Sequence, residues 1–195
     1  MNKDKAIILC GMPYAGKGRM SERLRKLPGF VHISTGELCR SVDPETELGK
    51  KVIDLMNQGI LIDDDTINEM VESKIKPGST LLFDGYPRSI PQAEWLLERL
   101  EDFDVLGIFL EIDEKIATLR RDRRINDFRL LGQEPRKDDS DLTILPKKFS
   151  EYYEKIAPTV EFLRTTLGDK FFSVDGGGTI EEEYSRVADI LGIKK

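Results

Sequence analysis

The chain is poor in the residues that carry redox, metal and acid–base chemistry. Two cysteines, Cys10 and Cys39, and a single histidine, His32, occur in 195 residues. Neither cysteine has metal-ligand spacing, so the expectation is two inert thiols in a reducing, cytoplasmic compartment. A lone histidine beside the apolar Ile33 is expected to be structural rather than catalytic. No run of 18 apolar residues occurs, which argues against a transmembrane helix. The opening Met1-Asn2-Lys3-Asp4-Lys5 runs directly into an apolar stretch with no signal-peptide core or cleavage site, and this too points to the cytoplasm. Internal repeats and low-complexity tracts are missing. So is a dominant basic stripe: the formal net charge is −6, and duplex nucleic acid is not an expected partner. An acidic balance still allows an anionic substrate, because a local Arg/Lys cluster can set the field inside a cleft. The length suits one compact domain.

What the chain does have begins at its N-terminus. Ala6-Ile7-Ile8-Leu9-Cys10 reads as a short buried strand, and Gly11-Met12-Pro13-Tyr14-Ala15-Gly16-Lys17-Gly18 follows at once. This is the G-x-x-x-x-G-K pattern of a P-loop. Met20, Leu24 and Leu27 at helical spacing open a helix behind it. Such a turn points successive backbone N–H groups inward around a phosphate chain. The helix N-terminus adds partial positive charge, and Lys17 can reach the β and γ phosphates. The bland alternative is an ordinary strand–turn–helix corner that contains a lysine.

Apolar strands alternate with helical stretches along the rest of the chain. Strands are expected at 5–10, 30–33, 80–83, 105–112 and 170–174. Helices are expected at 16–26, 35–42, 46–57, 64–75, 90–101, 114–124, 147–166 and 179–191. This alternation predicts an α/β fold: a five-stranded parallel sheet with helices on both faces. Ligands in such sheets bind at the carboxyl ends of the strands, where Gly11, Ser34-Thr35-Gly36 and Asp84-Gly85 fall. Residues 34–76 carry more helix than a simple crossover needs. Residues 125–139, polar with Gly132 and Pro135, read as a mobile loop over the site.

Three further features suit phosphate chemistry. The strand Leu81-Leu82-Phe83 ends in Asp84, placed to hold Mg²⁺ directly or through water; the plainer role is capping the next turn. Arg88 follows Gly85-Tyr86-Pro87, a turn stiffened by proline, and could fork onto a phosphate or simply face solvent. Arg120, Arg121, Arg123, Arg124, Arg129 and Arg136 form a cationic run, which beside a triphosphate could stabilise a transferring group and elsewhere would be a solvated face.

Four blocks together resemble the adenylate kinase family of nucleoside monophosphate kinases: Gly11 to Gly18; His32 to Arg40; Leu82 to Gln92; and Arg136-Lys137-Asp138-Asp139, followed by Tyr152 and Pro158. The match spans almost the whole chain. The resemblance implies a single P-loop kinase domain over 1–195, of the three-layer P-loop NTPase type. It also implies a helical monophosphate-binding insertion at 34–63 and a short lid at 125–139. The implied activity is Mg²⁺-dependent, reversible phosphoryl transfer from ATP to AMP. Gly11, Pro13, Tyr14, Ala15, Gly16, Lys17, Gly18 and Arg19 would cradle the ATP phosphates. Thr35 and Arg40 would belong to the monophosphate site, and Ile60, Leu61 and Ile62 would line the AMP base pocket. Gly85, Tyr86, Pro87 and Arg88 would hold the AMP phosphate, with a cis peptide before Pro87. Gln92 would read the adenine edge. Arg124 and Arg136 would close over the phosphates and, with Lys17 and Arg88, spread the transition-state charge. The lid lacks four cysteines, so no structural zinc is expected. A monomer is expected. Related pyrimidine kinases carry Ala at the position of Thr35 and Asn at that of Gln92, so both residues favour AMP.

The chain departs from the family pattern at four places. Tyr14 stands where the family has Gly, although a tyrosine does not take positive φ cheaply. Arg19 stands where it has a hydroxyl. Lys148 replaces a later lid-flanking arginine, keeping the charge and losing the fork. The first lid-helix arginine aligns with Leu119 or, with a one-residue shift, Arg120. These departures leave two alternatives open: a kinase for another monophosphate (CMP, UMP, GMP or a deoxynucleotide), or a nucleotide-binding protein of this fold that has lost its chemistry. A plain P-loop NTPase is a third.

Overall fold

The computed structural model describes residues 4–57, 62–135, 137–140 and 144–193. Five strands, β1 (Lys5–Gly11), β2 (Phe30–Ser34), β3 (Thr80–Asp84), β4 (Asp104–Glu111) and β5 (Phe171–Asp175), form one sheet in the order β2-β3-β1-β4-β5. Every pairing is parallel. β1 is central, and its residues from Ala6 to Gly11 are all buried. Its side chains alternate between faces, as the two-residue period of a strand demands. Ala6, Ile8 and Cys10 pack with Leu81, Phe83 and Leu96 on one side. Ile7 and Leu9 pack with Leu24, Leu82 and Val187 on the other. A strand buried on both faces must be apolar throughout, which explains why β1, β3 and β4 read as continuous hydrophobic runs. Each fully buried aliphatic side chain contributes about 1.5–3 kcal/mol.

The helices are α1 (Lys17–Leu24), α2 (Thr35–Arg40), α3 (Glu47–Asn57), α4 (Asp64–Glu72), α5 (Ile90–Arg99), α6 (Glu114–Leu130), α7 (Lys137–Ser140), α8 (Ile144–Glu151), α9 (Ala157–Leu167) and α10 (Ile180–Leu191). Local chemistry sets their starts. Ser34, Asp63, Ser89 and Asp113 each accept a backbone N–H from the first turn of α2, α4, α5 and α6. Thr179 and Glu182 form a reciprocal capping box on α10.

Element boundaries differ from the sequence expectation in three informative places. α6 does not stop at 124 but runs to Leu130, so the first six residues of the expected 125–139 loop are helical. Ile125 is buried and anchors that extension. The helix ends where Gly132 turns left-handed (φ 67°), with Gln133 N–H bonding to Phe128 O and Gly132 N–H to Arg129 O. The expected helix at 147–166 instead begins at Ile144 and runs to Leu167 through a π-helical turn at Tyr152–Ile156. β5 starts at Phe171 rather than 170, because Gly168–Lys170 form a 3₁₀ turn.

Candidate active site

The carboxyl ends of β1, β2 and β3 converge on one crevice, and the register brings Leu9 beside Asp84 and Asp84 beside Ser34. The loop between β1 and α1 has the conformation a phosphate cradle needs. Gly11 has φ 151°, and a Cβ there would lie 2.9 Å from Leu110 O and 3.0 Å from Ala15 Cβ, so only glycine fits. Gly16, at φ 102°, turns the chain into α1. Tyr14 takes φ 65° and is the sole non-glycine residue with positive φ among the described residues. A tyrosine is therefore held in the left-handed region that glycine adopts without cost.

Lys17 points into this loop. Its Nζ donates to Gly11 O at 2.7 Å and Met12 O at 2.9 Å. The residue is partly exposed along its stem, but its ammonium is enclosed. Burial pulls its pKa down to about 8, opposed by the charge of Asp84 and reinforced by that of Arg88. Asp84 stays ionised with its pKa below the usual value. Burial pushes it up, but His32, Lys17 and Ser21 together outweigh that. His32 Nε2 stands 3.6 Å from Asp84 Oδ2, and its Nδ1 is 3.5 Å from Glu37 Oε2. The lone histidine is thus flanked by two carboxylates, without a hydrogen bond from either ring nitrogen within the described residues. Ser21 is buried, and its Oγ makes no hydrogen bond within the described residues.

A second cationic pocket lies beyond β3. Arg88 folds back so that its Nε donates to Gly85 O at 2.8 Å, and Thr35 Oγ1 donates to the same carbonyl at 3.1 Å. Gly85 has φ 72°, and a Cβ there would meet Arg88 Nη2 at 3.3 Å. Arg40 lies over Gly36, with Nη1 3.3 Å from the position of a Cβ. Thr35, Arg40, Gly85 and Arg88 are thereby brought together. Tyr86 is buried, donates to Asn68 Oδ1 at 2.6 Å and precedes Pro87 through the expected cis peptide. Gln92 is buried with its amide engaged: Oε1 accepts Arg88 N–H at 2.8 Å, and Nε2 donates to Asp64 Oδ1 at 2.7 Å. One N–H and one lone pair of that amide carry no bond to these partners. Ile62 is partly buried; Ile60, Leu61 and Arg136 lie outside the described residues.

On the loop's far side the arginine run divides. Arg120 is drawn into the framework: its guanidinium donates to Ala15 O at 3.0 Å, to Gly178 O at 3.3 Å, to Gly176 O and to Glu183 Oε1 at 2.6 Å. Leu119, the other position the alignment allowed, is 61% exposed. Arg124 Nε lies 3.2 Å from Asp139 Oδ2 and Lys148 Nζ 3.5 Å from Asp139 Oδ1, so both cations face one buried carboxylate beside the loop. Pro13 is partly exposed, and Gly18 and Arg19 are exposed on the first turn of α1. Sequence reasoning gave no role to Asp64, Asp139 or Glu183. Asp139 sits in a quoted motif block, but nothing local signals that it is buried.

A glycine-cradled lysine, a strand-end carboxylate and a facing arginine pocket at the carboxyl edge of a parallel sheet define a P-loop nucleotide-binding protein with room for a second anionic partner. Comparison with known proteins narrows this class. The family model described as adenylate kinase matches residues 9–167. The chain is 35% identical to the adenylate kinase of Thermus thermophilus over 197 residues, covering 99% of this chain and 100% of that one. It is 35% identical to that of Flavobacterium johnsoniae over 192 residues (95% and 97%) and 34% identical to that of Porphyromonas gingivalis over 193 (95% and 94%). The chain belongs to the adenylate kinase family and is a nucleoside monophosphate kinase. Among the described residues no helix is long and apolar enough to cross a membrane.

Proposed function

We propose that this protein transfers the γ-phosphoryl group of ATP to AMP, reversibly, giving two ADP. The observation that carries this reading is the convergence at the carboxyl ends of β1 and β3 of the glycine loop enclosing Lys17, the strand-end Asp84 and Arg88 folded onto Gly85. The loop from Gly11 to Arg19 holds the donor phosphates, with Lys17 swinging from its carbonyls to the phosphoryl oxygens. Arg88, Arg40 and Thr35 receive the acceptor phosphate. Gln92, with Ile60, Leu61 and Ile62, frames the acceptor base. An acceptor phosphate oxygen is a nucleophile at neutral pH, so no protein base is needed. The protein's task is to bring two polyanions into line and exclude water. Arg124 from α6, Arg136 from 125–139 and Lys148 from α8 close over the phosphates, and 34–63 closes over the acceptor. Arg120 holds the loop in shape rather than touching the nucleotide.

The site fits Mg²⁺ carried on ATP. Asp84 is an ionised carboxylate beside the loop, the buried Ser21 Oγ adjoins it, and the described residues contain no group of three or more metal-ligating side chains. One protein carboxylate plus nucleotide phosphates and water is the usual way a protein holds this ion. Asp84 would hold it, directly or through water, and the ion would supply neutralisation of the phosphate charge. Such an enzyme works as a cytoplasmic monomer.

Chromatography of reactions containing ATP, Mg²⁺ and AMP, CMP, UMP, GMP or no acceptor tests the assignment. ADP formed only with AMP is the expected result. Transfer to another monophosphate would reassign the acceptor and discard the reasoning from Thr35 and Gln92. ATP loss without acceptor would indicate an NTPase. ATP binding without transfer would indicate that the chemistry is gone.

A further inference from the structure

Asp139 is 2% exposed, and two cations and a hydroxyl meet on its carboxylate. Tyr14 OH donates to Oδ1 at 3.0 Å, Lys148 Nζ lies 3.5 Å from the same oxygen, and Arg124 Nε pairs with Oδ2 at 3.2 Å. Arg121 Nε fixes the backbone by donating to Asp139 O at 3.0 Å. Lys148 Nζ also donates to Tyr14 OH at 3.1 Å and stands 5.1 Å from the ring centroid. Asp139 Oδ2 makes no hydrogen bond of good geometry within the described residues, so the carboxylate's hydrogen bonding rests on Oδ1. A buried carboxylate needs such donors, because an unsatisfied one is costly. Tyr14 remains the proton donor: burial, with the neighbouring carboxylate, raises its pKa despite the opposing Lys148.

A tyrosine at φ 65° in the tip of a phosphate loop is a strained choice where glycine would serve. Its side chain spans 125 positions of sequence to reach Asp139. We propose that Tyr14 is a positioning residue whose hydroxyl latches the phosphate-binding loop to Asp139 and so places Lys148 and Arg124 for the donor nucleotide. This rests on the reading that those two cations serve the phosphates of ATP. In the structure Asp139 pairs with both. When the triphosphate draws them away, Asp139 loses these ionic partners, and among the described residues the Tyr14 hydroxyl is the side-chain hydrogen bond that stays on it. The bond is therefore worth more with ATP bound than without, and donor affinity depends on it.

Tyr14→Phe keeps the ring and removes the hydroxyl. It is expected to raise the Kd and KM for ATP about tenfold, the scale of one hydrogen bond to a charged group. The KM for AMP should stay within about twofold and kcat within about threefold. Tyr14→Gly, the family residue, relieves the strained φ but cuts the latch. It too should weaken ATP binding, whereas a merely tolerated tyrosine predicts tighter or equal binding. In an Asp139→Ala background Tyr14→Phe should add little, because the acceptor of its hydroxyl is gone. Unchanged ATP affinity in Tyr14→Phe, a gain in Tyr14→Gly, or additive losses in the double variant would each overturn the latch. Calorimetric ATP binding is measured beside turnover, so the two readings fail separately. An inactive wild type that binds ATP counts against phosphoryl transfer, while ATP affinity indifferent to Tyr14 in an active wild type counts against the latch alone.

Discussion

Arg120 on α6 and Glu183 on α10 form a 2.6 Å ion pair in which the carboxylate side chain is only 4% exposed. The same guanidinium donates to Ala15 O, so two helices and the phosphate loop are joined at one charge. Removing one partner of an enclosed pair strands the other. Glu183→Ala is expected to cost about 3 kcal/mol of stability in urea denaturation of the ligand-free protein. It should also raise the KM for ATP, because Arg120 no longer holds Ala15. A loss below about 0.5 kcal/mol, the scale of an ordinary surface substitution, would show that the pair is structurally idle.

Lys17 gives a pH signature. Its pKa of about 8 in the ligand-free protein means the ammonium is partly neutral at mildly alkaline pH. Donor phosphates stabilise the charged form and raise that pKa. ATP binding near pH 8.5 should therefore take up protons, and binding at pH 6.5 should take up none through this group. Calorimetry in two buffers of different ionisation heat measures the difference, and Lys17→Met should abolish it. The same variant should slow turnover by roughly 10³-fold or more. For folding the sign is opposite to that of a salt-bridged lysine. The unfolded chain binds the proton more tightly between about pH 8 and 10.5, so this residue's contribution to stability improves as pH rises through that window.

The fold was legible because its signals are local. β1, β3 and β4 are apolar runs that must be buried on both faces, and capping residues such as Ser89 and Thr179 mark helix starts in the sequence itself. The extension of α6 to Leu130 was not, because its arginine-rich run has no apolar stripe and is held by the single buried Ile125. The phosphate loop was legible for the same local reason: a glycine–lysine pattern set directly between an apolar strand and a helix. Asp139 was not: it lies among charged residues, and its burial comes from Tyr14, Arg121 and Lys148, whose proximity only the tertiary structure creates. Arg120 is a second case. Its place in an arginine run gave no sign of the framework bonds it makes to three backbone carbonyls and Glu183.

The two glycines that bracket the loop should respond differently to one methyl group. Gly11→Ala places a Cβ 2.9 Å from a backbone oxygen in a conformation L-residues avoid. The expected cost is about 2 kcal/mol or more, with ATP affinity falling alongside. Gly18 has nothing within 4 Å of a built Cβ and sits in the first turn of α1. Gly18→Ala should therefore leave stability unchanged or raise it by up to about 1 kcal/mol. Thermal and urea denaturation of both variants separates a conformational requirement from mere membership of the motif.

Gln92 depends on Asp64 for its orientation, and this makes acceptor recognition testable away from the acceptor. Arg88 N–H must meet the amide oxygen of Gln92, which leaves Nε2 for Asp64 Oδ1 at 2.7 Å; Asp64 Oδ2 accepts from Ser89 Oγ at 2.7 Å as well. One carboxylate thus fixes both the cap of α5 and the amide proposed to read the acceptor base. Asp64→Asn can satisfy only one of these donors with its single oxygen, so the Gln92 amide gains freedom to turn. The KM for AMP is expected to rise several-fold, by roughly the 1 kcal/mol worth of one hydrogen bond, while the KM for ATP and the denaturation midpoint move little. Parallel steady-state titrations of each nucleotide decide the matter. An unchanged KM for AMP would remove Gln92 from acceptor recognition, and an equal rise for both nucleotides would mean that Asp64 supports the whole crevice rather than one side of it.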